Sequence, residues 1–167
     1  DCSSRGLGDV YKRQALFYLL LLTVVFLVQR RLLYLPNPVR PTSTSLQAVG
    51  LTFWPDTDED YRGLLSLGPP SDSKGTIVVF HGNAGRAADR SYYAQALAPL
   101  GYRVLLAEYP GYGGREGSPS ETTLIADAKA TIARAHQDFG DPIYLWGESL
   151  GCGVVAAVAA QTAVPVE

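Results

Sequence analysis

Apolar residues are distributed along the chain in three patterns. Ala15 to Val28 (ALFYLLLLTVVFLV) is an uncharged apolar block. Three short runs centre on aliphatic residues: Thr76 to Phe80 (TIVVF), Tyr102 to Glu108 (YRVLLAE) and Ile143 to Trp146 (IYLW). In a third pattern Leu124, Ala128, Ile132 and Ala135 recur at three- and four-residue intervals, giving one buried helical stripe. The continuous, β-branched TIVVF run is the signature of a strand buried on both faces, which implies a parallel sheet. A helical stretch follows it to about Leu100, and Gly101 stops it. Ser118-Pro119-Ser120-Glu121 has capping-box spacing with Pro at the first helical position, so a helix is expected from there to Phe139 and the terminating Gly140. Val154 to Ala160 predicts a further helix, kept slim against the sheet by Gly153, Ala156, Ala157, Ala159 and Ala160. Upstream, Gln47 to Trp54 and Tyr61 to Leu67 flank the acidic stretch Asp56 to Asp60. This reads as a hairpin with a solvated tip, since the stretch lacks the Gly and distal Glu of a calcium loop. The order βαβαβα predicts an α/β fold: a mostly parallel sheet with helices on both faces and a site at the strands' C-terminal ends.

The N-terminal part divides differently. Residues 1–14 show no helical or strand periodicity, resemble translated adapter read-through, and are left outside the fold; a genuine polar tail is the alternative. Residues 15–31 hold the apolar block, closed by Gln29, Arg30 and Arg31. As a helix, positions 15–28 span about 21 Å, short of the ~30 Å of a hydrocarbon core unless the arginines snorkel. A membrane anchor, a signal peptide and a buried helix all fit such a block. The absence of a small-x-small site after it favours an uncleaved, single-pass N-terminal anchor that meets the membrane through residues 15–28, with the side unspecified. Residues 32–45, with Pro36, Pro38 and Pro41, suit a tether. Residues 46–167 form the N-terminal portion of the soluble domain.

Composition narrows the function. With 47% hydrophobic and 18% charged residues among 167, the chain can bury a core. Fourteen Lys and Arg against sixteen Asp and Glu leave a charge of −2 and no basic block, which excludes nucleic acid as a partner. Cys2 and Cys152 form no CxxC pair, so a thiolate metal site is not expected. The chain has no Met and begins Asp-Cys-Ser-Ser, which reads as a fragment.

The chemistry centres on Gly147-Glu148-Ser149-Leu150-Gly151, a G-x-S-x-G between the strand IYLW and a helix beginning at Leu150. A serine at a sharp strand-to-helix elbow has its hydroxyl pushed above the sheet edge. Gly147 and Gly151 are needed there because a Cβ would collide with the adjoining helix and strand. The turn also aims a helix N-terminus at any oxyanion forming near Ser149. A second donor can come from the turn after TIVVF, His81-Gly82-Asn83-Ala84-Gly85, so the N–H groups of Asn83 and Leu150 are the expected oxyanion-hole pair. His81 is expected to brace this loop through a main-chain hydrogen bond, with Gly82 supplying its freedom to turn.

Together HGNAG (His81 to Gly85), YPGYGGREGSPSE (Tyr109 to Glu121) and GESLG (Gly147 to Gly151) resemble the α/β-hydrolase superfamily, and within it the membrane-anchored BEM46-like serine hydrolases. An N-terminal anchor followed by a segment like Leu32 to Pro38 is also familiar in that group. The resemblance covers most of Leu32 to Glu167. It implies an eight-stranded, mostly parallel sheet and hydrolysis of an ester, thioester or amide of a small-molecule or lipid-like acyl substrate. The route it implies is a serine-bound acyl intermediate at Ser149, with no cofactor and no metal. In that superfamily the triad acid and histidine follow the nucleophile, so they are expected beyond residue 167 and the fragment itself is expected to be inactive.

The residues present do not replace them. His136 reads as a surface histidine and Glu148 as a support or surface residue. Glu108 is an acid with no histidine to orient, and Cys152 a small core residue. Tyr109 and Tyr112 either line the pocket or pack. Gly151 to Ala156 fits G-x-G-x-x-A, but its glycines come too late after the strand for a dinucleotide turn. The rival reading is a non-catalytic, membrane-tethered binding or scaffold protein of the same fold. A strained serine that such a protein does not need argues against it.

Overall fold

The computed structural model describes residues 2–55, 60–68, 73–140 and 142–166, without the side chains of residues 2–7. It divides into two units, Asp1–Tyr34 and Leu35–Glu167.

The first unit is one helix, α1 (Cys2–Leu33). Residues 2–14, which show no periodicity of their own, continue this helix: no proline interrupts the hydrogen-bond ladder before Pro36, and once the apolar block is helical each further residue adds one bond. Its stretch Gly8–Leu33 has 26 residues and a mean hydropathy of 1.9. At 1.5 Å per residue that is about 39 Å, long enough for a hydrocarbon core, where positions 15–28 alone are not.

In the second unit the sheet is built from β2 (Leu51–Trp54), β3 (Gly63–Ser66), β4 (Thr76–Phe80), β6 (Arg103–Ala107) and β7 (Ile143–Gly147) in the order β2-β3-β6-β4-β7. The hairpin strands β2 and β3 run antiparallel, and β6, β4 and β7 run parallel. Every residue of β4 is buried, as its unbroken apolar run requires. Positions 56–59 of the hairpin tip lie outside the described residues.

One face of the sheet packs Ile77, Val79, Val104 and Leu106 against Ala87, Ala94, Leu46 and Tyr61. Val78, Phe80, Leu105 and Ala107 alternate to the other face. The stretch expected as one helix to Leu100 is three pieces: a 3₁₀ turn, α3 (Ser91–Leu97) and a second 3₁₀ turn containing Pro99. Gly101 closes it at φ 94°. Helix α4 (Glu121–Phe139) buries Leu124, Ala128, Ile132 and Ala135, but its cap lies later than expected. The N-cap is Ser120, not Ser118; it is extended and exchanges hydrogen bonds with Thr123, the Ser120 N–H donating to Thr123 Oγ1 at 2.9 Å and the Thr123 N–H to Ser120 Oγ at 3.2 Å. Helix α5 (Leu150–Ala159) packs on β7, β4 and α4 through Gly151, Val154 and Val158.

Residues 32–45, expected as a tether, carry short elements of their own. Leu32 and Leu33 end α1, and β1 (Leu35–Pro36) pairs in parallel with β5 (Ala84–Gly85). Thr42 caps α2 (Ser43–Gln47) with a capping box completed by Ser45. Proline is tolerated in β1 because such a short edge strand needs few donors. The expected slimming role of Gly153, Ala156, Ala159 and Ala160 is also corrected: all four are exposed, and a Cβ on Gly153 would meet nothing within 4 Å. They fall on the side of α5 away from the sheet.

Candidate active site

Register brings the site together. Phe80 lies level with Ala107 on one side and Gly147 on the other, so His81, Glu108 and Glu148 leave the sheet at the same edge. The Glu148 N–H donates to Phe80 O at 2.9 Å, tying the turn after β7 to the end of β4.

Ser149, at the N-terminus of α5, has φ 51° and ψ −110°, the single non-glycine residue with positive φ among those described. That conformation costs an L-residue of order 1–3 kcal/mol and persists where its surroundings over-determine it. The surroundings are glycines. A Cβ on Gly147 would lie 2.6 Å from Gly151 O and 2.7 Å from Cys152 Cα, and one on Gly151 would run into Phe80 O. Helix and strand therefore approach the elbow as closely as bare backbone allows. Gly82 closes the other side, since a Cβ there would stand 3.4 Å from Ser149 Cβ. Asn83 follows Gly82 directly, and Leu150, next to Ser149, opens α5, where the first N–H groups have no intrahelical acceptor.

His81 is buried and both of its ring nitrogens are engaged, Nδ1 with Gly82 O at 2.7 Å and Nε2 with Glu108 Oε1 at 2.9 Å. A carbonyl only accepts, so Nδ1 carries a hydrogen. One further proton then bridges Nε2 and the Glu108 carboxyl, and the pair as a whole is neutral. The second Glu108 oxygen accepts from the Ala87 N–H at 2.9 Å. The expected main-chain brace by His81 is present in the Gly82 bond. Glu108, expected to have no histidine to orient, orients this one. Its position at the end of a strand, level with His81, is the trace of this pairing in the sequence. With both ring nitrogens occupied, His81 has none with which to take a proton from Ser149.

Tyr109 and Tyr112 are fully buried packing residues that also donate hydrogen bonds, Tyr109 to His81 O at 3.0 Å and Tyr112 to Asn83 Oδ1 at 3.2 Å. Burial pushes the Tyr109 phenol well above its ordinary range, so it remains a donor. Asn83 Oδ1 also accepts from the Leu35 N–H at 3.0 Å. Glu148 lies beside Gly82, where a Cβ would stand 3.3 Å from its Oε1, and Arg90 donates to its carboxyl at 2.8 Å and 3.2 Å, bonds that hold it below the usual range. Cys152, expected in the core, is exposed, because α5 turns Gly151 and Val154 inward instead. His136 sits half-buried in the last turn of α4. Among the described residues no group of three or more His, Cys, Asp or Glu side chains could hold a metal ion.

The family model described as serine aminopeptidase, S33 (Hydrolase_4) matches residues 71–166. An uncharacterized Mycobacterium tuberculosis protein is 38% identical over 147 residues, 84% of this chain and 52% of its own length. The Danio rerio lysophosphatidylserine lipase ABHD12 is 44% identical over 81 residues, 47% of this chain and 21% of its own length. The chain thus spans about half the length or less of these curated relatives. Among solved structures, the Pyrococcus furiosus esterase Pf2001 superposes with a TM-score of 0.58 at 20% identity, covering 78% of this chain and 54% of that one. At that identity the likeness speaks to the fold, which is the α/β-hydrolase fold.

Proposed function

The chain belongs to the serine aminopeptidase S33 (Hydrolase_4) family of α/β-hydrolases, and from that premise we propose that it provides the nucleophile half of a serine hydrolase. Ser149 attacks the carbonyl carbon of an ester, thioester or amide. Its hydroxyl proton passes to a base, the leaving group departs protonated, and water then hydrolyses the acyl-serine. The N–H groups of Asn83 and Leu150 receive the oxyanion. The acid and histidine of the triad come from the remainder of a longer protein, since neither histidine here is placed to serve. The observation that carries this reading is the left-handed φ of 51° at Ser149, held by Gly147 and Gly151 at the mouth of the His81–Gly85 loop. A scaffold protein gains nothing from that strain.

The substrate class we propose is a small or lipid-like acyl ester, a reading supported by a relative named as a lysophosphatidylserine lipase. We also read α1 as an uncleaved membrane anchor; sequencing of the mature N-terminus decides this, and loss of α1 would make it a signal peptide. The test of the main reading is turnover of a short-chain aryl ester by the whole protein. Ser149→Ala is expected to lower kcat at least about 1,000-fold, with fold and melting temperature retained, and residues 1–167 alone are expected to show none of the activity. Ser149→Ala with undiminished turnover overturns the assignment.

A further inference from the structure

We propose that β1 and the residues after it form a brace that sets the oxyanion loop, with the Leu35 N–H and the Tyr112 hydroxyl as its positioning groups. The inference rests on the reading of Ser149 as nucleophile and the Asn83 N–H as oxyanion donor. A main-chain donor on a loop with glycine at both ends can turn away by rotation of its peptide, and Gly85 already adopts φ 93°. Something must hold Asn83 in one orientation, and its side chain shows what does. Asn83 Oδ1 accepts from the Leu35 N–H at 3.0 Å on one side and from the Tyr112 hydroxyl at 3.2 Å on the other.

The brace continues past that clamp. Leu35 and Pro36 run level with Ala84 and Gly85 in a parallel pair, and the Asn37 N–H donates to Gly85 O at 3.3 Å. Asn37 O in turn accepts from the Gly113 N–H at 2.8 Å, and Arg86 Nη1 donates to Val39 O at 2.6 Å. The segment is therefore bonded both to the oxyanion loop and to the loop that carries Tyr112. Leu35 and Val39 are themselves exposed, so the attachment runs through main-chain atoms and adds little to the core. Bonding without burial of these side chains indicates a geometric role. Among the described residues the Asn83 amide is engaged through its oxygen, so a carboxylate can accept the same two bonds and an aliphatic side chain cannot.

The test uses the whole protein and a short-chain aryl ester. Leu35→Pro deletes the N–H while preserving an extended backbone, and Leu35→Ala keeps the N–H while removing the side chain. Leu35→Pro is expected to fall about tenfold or more below Leu35→Ala in kcat, with KM within about twofold and the melting temperatures alike. That is a fraction of the 100- to 1,000-fold expected from deleting an oxyanion donor outright. Tyr112→Phe should show the same split, and Asn83→Asp should recover much of the rate lost in Asn83→Leu. Equal kcat for the two Leu35 variants overturns the brace, and so does a rate loss that merely follows a lowered melting temperature. If Ser149→Ala leaves turnover intact, the reading of the site falls first and the brace falls with it. If Ser149→Ala abolishes turnover while the Leu35 pair is equal, the brace alone is wrong.

Discussion

The two loops that meet at Ser149 are held by different forces. The His81–Gly85 side is enclosed: His81, Glu108 and Tyr109 are each 1% exposed and Tyr112 is 0% exposed. Their polar atoms are joined into one connected set from Gly82 O through His81 and Glu108 to the Ala87 N–H. The Ser149 side is open. Trp146 is 48% exposed, Cys152 and Gly153 face outward, and among the described residues β7 has on its outer side a single parallel bridge, from Ile143 to Val166. Its geometry depends on close contact between Gly147, Gly151 and neighbouring backbone. Hydrogen bonding fixes one side and steric contact the other, so single substitutions should damage them by different routes.

The largest effect is expected on the enclosed side. Glu108→Ala strips His81 Nε2 of its partner, orphans the Ala87 N–H and leaves a void, which together should cost about 3–5 kcal/mol in urea denaturation. Glu108→Gln sharpens the point. Because the pair is neutral as a whole, the amide can donate to a neutral Nε2 and still accept from Ala87, so the loss should stay below about 1.5 kcal/mol. Equal losses for the two variants would mean that volume rather than pairing sets this side. Next comes Gly151→Ala, whose new Cβ meets the Phe80 carbonyl. Overpacking against backbone should cost about 1–3 kcal/mol and, by displacing α5 from β4, reduce labelling of Ser149 by an active-site acylating probe in the whole protein. Full stability in that variant would show the elbow to be slack.

A smaller effect belongs to the link between the sides, where Arg90 holds Glu148. The hydrogen bonds from Arg90, followed by its charge, lower the Glu148 carboxyl from its ordinary 4.5. A depressed acid stabilises the fold above its unfolded value and ceases to do so as pH falls through the folded one. The stability difference between the wild type and Arg90→Ala should therefore be at most about 1 kcal/mol at neutral pH, discounted for partial exposure. It should shrink once the pH drops below 4.5. A difference that grows on acidification would contradict the pairing.

Much of this was legible in the sequence, unevenly. The strands β4, β6 and β7 and the stripe of α4 follow from apolar spacing, because burial of a sheet between helices leaves period and composition little choice. The positions of Gly147, Ser149 and Gly151 are legible because the strand-turn-helix pattern around them is local, although the backbone that Gly151 must clear, Phe80, is distant in the chain. Pairings across distance are not. Leu35 meets Asn83 across 48 positions and His81 meets Glu108 across 27, and the apolar periodicity marks neither. The inward face of α5 is not legible for a related reason: a run of Ala and Val is apolar all round, so periodicity does not say which side the sheet takes.

Cys152 offers the mildest probe of the open side. Its thiol lies on the outward face of α5, with Sγ–H donating to Gly147 O at 3.1 Å, a weak bond that little opposes removal. In the folded 167-residue chain, a maleimide should therefore modify Cys152 to completion without denaturant, and Cys152→Ser should change stability by less than about 0.5 kcal/mol. Peptide mapping by mass spectrometry separates this site from Cys2. Protection that yields only at the unfolding midpoint would mean that the α5 face is covered in solution, and the contrast between an enclosed and an open side would fail. The same labelling in the whole protein sharpens the contrast: slower modification there would identify α5 as the face on which further chain packs, because a buried thiol reacts only through opening of whatever covers it.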